Sequence, residues 1–299
     1  MTPQPRTPLS LGLLVFGLLS AIAISVAIWK PLPTSEASQS SDAQKGLLQN
    51  HEVYERPALR AYAKALADQG DAEERALRQA LGDLQTRGAT QQQKRRLVLR
   101  SALASLRAEA PHMRSLPVRG YDAIMNGVAD GLTQLQDTGS HWCRATTLAT
   151  LTRKNEGVLL STIIDDMAQS DAAYDWALSW VTDILELGSQ ARARPVRHGP
   201  RTVADEAVVQ DFGRQIGLER WEVALSIAAF AQAEGRSYRA MKQALAAIDV
   251  CELGQTLEAL SDRAPEAVRG RVMAELVPEI FYGNTPYVLY LLQGYFFIG

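Results

Sequence analysis

Residues 171–187 read DAAYDWALSWVTDILEL. Ser170 stands just before them as an N-cap, and Gly188 follows as a stop. Trp176, Trp180 and Ile184 recur every four residues, so they share one face of a helix. The two tryptophans make either a core-facing stripe or a surface on which a ligand stacks, and the core is the simpler reading. Nothing here alternates with the two-residue period of a strand. The stretch is a helix, and its neighbours repeat its signals.

Upstream, helical spacing covers Glu156 to Met167 and about Trp142 to Arg153. From Tyr121 to Leu135, Ile124, Val128, Leu132 and Leu135 share a face. Thr90 starts a helix expected to run to about Glu109, before Pro111. Asp71 is read as the cap of DAEERALRQALGDLQTR, with Glu74 completing a capping box. Residues 52 to 67 set Leu59, Tyr62, Ala63 and Leu66 at helical spacing, closed by Gly70.

Downstream, residues 189–201, SQARARPVRHGPR, break the pattern with Pro195, Gly199 and Pro200 and mark a candidate sub-boundary. Thr202 caps a helix to about Ile216. Helices follow over Glu219 to Ala233, Ser237 to Val250 and Gln255 to Leu260. Another runs from Pro265 to Phe281, with proline at its first position. Thr285-Pro286 opens a last apolar one. No fixed repeat recurs. The expected class is all-α: an irregular helical bundle or a solenoid-like array of helical hairpins.

Residues 9–29, LSLGLLVFGLLSAIAISVAIW, differ in kind, because they hold no charge. About 20 apolar residues at 1.5 Å each cover the roughly 30 Å hydrocarbon core of a bilayer. This run exceeds the apolar region of a cleaved signal peptide. It reads as an uncleaved transmembrane signal anchor. Residues 1–8 are then a short cytoplasmic flank, and the Pro- and Ser-rich stretch 30–46 is a flexible tether. Residues 47–299 are an exported domain. Gly17, Ala21 and Ser25 recur every four residues, the spacing at which two transmembrane helices approach closely and self-associate. The expected location is the inner (cytoplasmic) membrane, single-pass, with the domain periplasmic.

The formal net charge of −2 argues against a nucleic-acid partner. In an exported compartment the two cysteines, Cys143 and Cys251, are expected to pair, tying the middle of the chain to its last quarter. The alternative is two unrelated buried thiols.

Catalytic chemistry has no recognisable motif. The histidines His51, His112, His141 and His198 are scattered, and neither a metal-ligand spacing nor a phosphate loop occurs, so no cofactor is expected. Asp165-Asp166 adjoins an apolar run and reads as solvent-exposed, as does the basic group Lys94, Arg95, Arg96 and Arg100. Arg192, Arg194, Arg197 and Arg201 lie close together in the 189–201 segment, where they could dock an anionic surface. The aromatics Phe281, Tyr282, Tyr287, Tyr290, Tyr295, Phe296 and Phe297 crowd the C-terminus, either buried or offered to a partner.

The functional expectation is a membrane-anchored helical interaction or scaffold module of the bacterial cell envelope, acting on another envelope protein and more a binder than an enzyme. The alternatives are an envelope hydrolase acting on cell-wall glycan, or a cleaved soluble ligand-binding protein.

Overall fold

The structure is a computed structural model that describes residues 56–147, 156–219, 246 and 249–282. Among the described residues the chain is all-α. The helices are α1 (Pro57–Gln69), α2 (Asp71–Thr86), α3 (Gln91–Met113), α4 (Val118–Asp137), α5 (Glu156–Gln169), α6 (Asp171–Ala193), α7 (Val203–Glu219), α8 (Val250–Ser261) and α9 (Glu266–Tyr282), with one 3-10 turn at His141–Cys143. The anchor segment 9–29, with Gly17, Ala21 and Ser25, lies outside the described residues. So do the tether, most of the two helices expected between 219 and 250, and Tyr287, Tyr290, Tyr295, Phe296 and Phe297. No described helix is long and apolar enough to cross a membrane.

The helix of residues 171–187 is the centre of the molecule. α1, α3, α4 and α5 all pack against α6, so partners distant in sequence surround one axis. Tyr174, Leu178 and Ile184 of α6 are fully buried. Ser170 caps it as expected, accepting from the Ala173 N–H. Gly188 does not end it, and the helix runs on to Ala193. That glycine instead marks a close approach: a Cβ there would stand 2.0 Å from Glu109 Oε2.

Three other local readings are corrected. The capping box at Asp71 does not form, because only Gly70 separates α1 from α2 and serves as the cap of both. The Glu74 carboxylate turns to Arg78 instead. The capping box sits at Thr90, whose hydroxyl accepts from the Gln93 N–H while the Gln93 side chain accepts from the Thr90 N–H. Pro111 does not stop α3, which continues to Met113. Ala110 and Met113 are fully buried, and that packing outweighs the reluctance of a residue before proline to stay helical. From Trp142 the chain forms no regular helix at first. His141–Cys143 make a 3-10 turn, and Arg144 pairs with Asp249 in an isolated antiparallel bridge.

Of the basic group on α3, Arg100 is exposed as expected, and the other three are engaged. Lys94 is buried and donates to the Gln85 side chain. Arg95 pairs with Asp171 at 2.5 Å and lies over the Tyr174 ring. Arg96 pairs with Asp165 at 2.6 Å, so the pair Asp165-Asp166 is half-buried at a helix contact. Arg96 and Arg95 clamp α3 to α5 and α6, and Lys94 ties it to α2.

The segment after α6 is strapped to the domain. Val196 donates its N–H to Ser115 O at 2.9 Å. His198 Nε2 lies 2.7 Å from Leu116 O, and its ring faces Tyr121. Thr202 and Asp205 then cap α7 reciprocally. The buried Asp205 carboxylate accepts two hydrogen bonds from Arg271 of α9, at 2.8 and 2.6 Å. These bonds hold its carboxyl well below the usual carboxylate range. The charged form is favoured in the folded state, so the stability it adds is fully present above the unfolded-chain value of about 3.9. It is lost as pH falls from there towards the depressed folded value. Stability followed by denaturant titration is expected to drop below about pH 4 in the native chain and to drop less in Asp205→Asn.

Candidate functional site: an apolar cavity between α3, α4, α5 and α6

Two glycines on α4 decide how α6 sits. A Cβ at Gly127 would lie 2.2 Å from the Trp180 ring, and one at Gly131 would lie 2.2 Å from the Trp176 ring. The notch they leave takes both indoles, which stack with centroids 5.9 Å apart. Trp176 Nε1–H donates to Gly127 O at 3.0 Å, and Trp180 Nε1–H donates to Ile124 O at 3.2 Å. Each ring therefore has its polar atom satisfied and its apolar body free for packing. Phe281 of α9 meets Trp180 edge-on at 6.2 Å.

Beside the rings the four helices do not close. They leave a cavity of about 280 Å³, lined on α6 by Ala173, Trp176, Ala177, Trp180 and Val181. α3 contributes Leu99, Ala102, Leu103 and Leu106. α4 contributes Val128, Leu132 and Leu135, and α5 contributes Ile163, Ile164 and Met167. The volume is nearly twice that of an engineered cavity of about 150 Å³ that stays dry and takes up benzene. It approaches the lower end of small-molecule pockets, roughly 300 Å³.

The rim is built by the 3-10 turn. Ser140 caps it by accepting from the Trp142 N–H. Trp142 Nε1–H donates to Asp166 Oδ2 at 3.0 Å, and His141 Nε2 lies 3.4 Å from the same oxygen. The His141 and Trp142 rings are 4.8 Å apart. Behind the turn, Cys143 and Cys251 stand at disulfide distance, Sγ–Sγ 2.07 Å, both buried. The turn is thereby held to α8. With Asp249 the two sulfurs form the one set of three potential metal ligands among the described residues. Bonded to each other, they offer no thiolate.

The four arginines singled out in the sequence have different fates. Arg192 is 2.5 Å from both oxygens of the buried Glu109. Arg201 faces Glu275 at 3.5 Å and Glu206 at 3.8 Å. Arg194 and Arg197 are exposed. Of the C-terminal aromatics, Phe281 is buried and Tyr282 exposed. None of these residues lines the cavity. The sequence signal that did point to it was the stripe Trp176–Trp180. Trp142 and Gln134 had no signal, because nothing within a few residues of each indicates an unfilled space, and Asp166 stood out only as one of an acidic pair read as solvent-exposed.

A second group of acids lies on the other face of α4. Burial pushes Asp122 and Glu258 up, and neighbouring acids add to the effect. Arg269 bridges Asp122 at 3.5 Å and Asp262 at 3.1 Å. Arg269 offsets part of the negative charge at this helix contact.

No family model, curated protein or solved structure matches this chain, so the functional reading rests on the cavity itself.

Proposed function

We propose that the chain is a membrane-anchored helical binding module of the bacterial cell envelope, whose domain takes up an apolar ligand between α3, α4, α5 and α6. Residues 9–29 hold it at the membrane, and residues 30–46 give it reach. The cavity of about 280 Å³ carries the reading. A well-packed interior keeps few voids larger than a water molecule. An apolar space of this size with satisfied indole N–H groups on its wall suits a ligand. The hydrolase reading gains no such support. Glycosidic chemistry normally uses two facing carboxylates, and the cavity lining holds one, Asp166. Scaffolding of an envelope protein is the second reading, favoured by Arg194 and Arg197, which are exposed on the strap.

The test uses the full chain in detergent-free, copolymer-bounded membrane discs, titrated with the neutral fluorophore N-phenyl-1-naphthylamine. Saturable binding is expected, and Ala173→Phe, which fills the cavity wall, is expected to remove it while leaving the melting temperature within a few degrees. Equal signals from the native chain and from a stably folded Ala173→Phe variant would sink the proposal.

A further inference from the structure

The lining of the cavity is sorted by polarity along its length. α4 and α6 run antiparallel here, since Trp176 meets Gly131 and Trp180 meets Gly127. α3 runs alongside α6, with Arg95 at Asp171 and Glu109 at Arg192. One end of the cavity is therefore set by Leu106, Val128, Trp180 and Val181, all buried. The other end carries Gln134, Thr138, Ser140, His141, Asp166 and Ser170, each exposed or half-exposed. Between Val128 and Thr138, α4 spans about 15 Å at 1.5 Å per residue. An apolar space that extends this far along α4, with a polar mouth at one end, fits a chain with a head group better than a compact hydrophobe.

The charge of the mouth narrows the head. Among the described residues that line it there is no lysine or arginine, and one carboxylate, Asp166. An anionic head would meet that carboxylate without a fixed cation. The Gln134 amide, the Ser140 and Thr138 hydroxyls and the Asp166 oxygens can instead receive hydroxyl, amide or ammonium groups. The Trp142 ring adds a face for a cation.

Resting on the binding-module reading above, we infer that the ligand is a single-chain amphiphile with a non-anionic polar head. The tail points to Trp180 and Val128. The head sits at Gln134, His141 and Asp166. Three of the chain's tryptophans line this space, which supplies the readout.

The experiment titrates the full chain, carrying Trp29→Phe and held in detergent-free discs, with ω-bromoalkanols of increasing length. Bromine quenches an indole only at short range, so quenching reports tail insertion. The signal of Ala173→Phe, or of Ala177→Phe if the first variant folds poorly, is subtracted to remove partition into the disc lipid. The dissociation constant is expected to fall about fourfold per added methylene, equivalent to about 0.8 kcal/mol, and to level off once the cavity is full. Brominated chains of equal length ending in trimethylammonium should bind comparably, and those ending in carboxylate at least tenfold more weakly. Carboxylates binding as tightly as alcohols would overturn the head-group assignment. Saturable binding of the neutral fluorophore without any dependence on alkyl length would overturn the amphiphile and leave the cavity reading standing. Absence of binding by either probe would remove both.

Discussion

Arg192→Ala is expected to destabilise the domain by about 3–5 kcal/mol, the cost of leaving a buried charge without its partner. Glu109 of α3 is the stranded group, and its side chain is 4% exposed. Both of its oxygens accept from Arg192 Nη1 at 2.5 Å. The carboxylate sits in the notch left by Gly188, one turn before Arg192, where a Cβ would stand 2.0 Å from it. For a domain of this size the loss corresponds to a fall of about 6–20 °C in melting temperature. Replacing both partners, as Glu109→Met with Arg192→Met, is expected to recover most of it, since no charge is then buried. A loss under about 1 kcal/mol in the single variant, read by urea titration, would mean that the pair behaves like a surface ion pair.

Removing the Cys143–Cys251 tie is the second large effect. The two residues are 108 positions apart. In the chain-entropy account, opening a loop of that length lowers stability by about 4–5 kcal/mol. The measurement is a thermal melt of the oxidised chain with and without reductant, repeated on the double variant Cys143→Ser, Cys251→Ser. A local consequence accompanies the global one. Cys143 ends the turn that carries His141 and Trp142 at the cavity rim. Loosening that turn is expected to weaken ligand binding more than Arg192→Ala does at matched stability. An unchanged melt with both thiols freely titratable would show that the tie contributes nothing.

The helices themselves were legible because their signals are local. A cap acts within three residues: Ser170 reaches Ala173 N–H, Thr90 reaches Gln93, and Thr202 reaches Asp205. A repeat of three and four residues needs only one turn to be read. The same locality explains the errors. Pro111 and Gly188 are stop signals in isolation, yet the contacts that override them come from the far side of the chain, Glu109 to Arg192 across 83 positions. Arg95 and Arg96 look like a solvated face until Asp171 and Asp165 are brought opposite.

By itself, then, the sequence determined that this chain is helical, where most helices begin, and which faces are apolar. Only the tertiary structure decided that Trp176 and Trp180 stack in a glycine notch on one side and wall a cavity on the other. Propensity and periodicity belong to single elements and are written in neighbouring residues. An unfilled space belongs to none of them. It arises where four helices from separate parts of the chain meet at angles that their side chains do not quite fill.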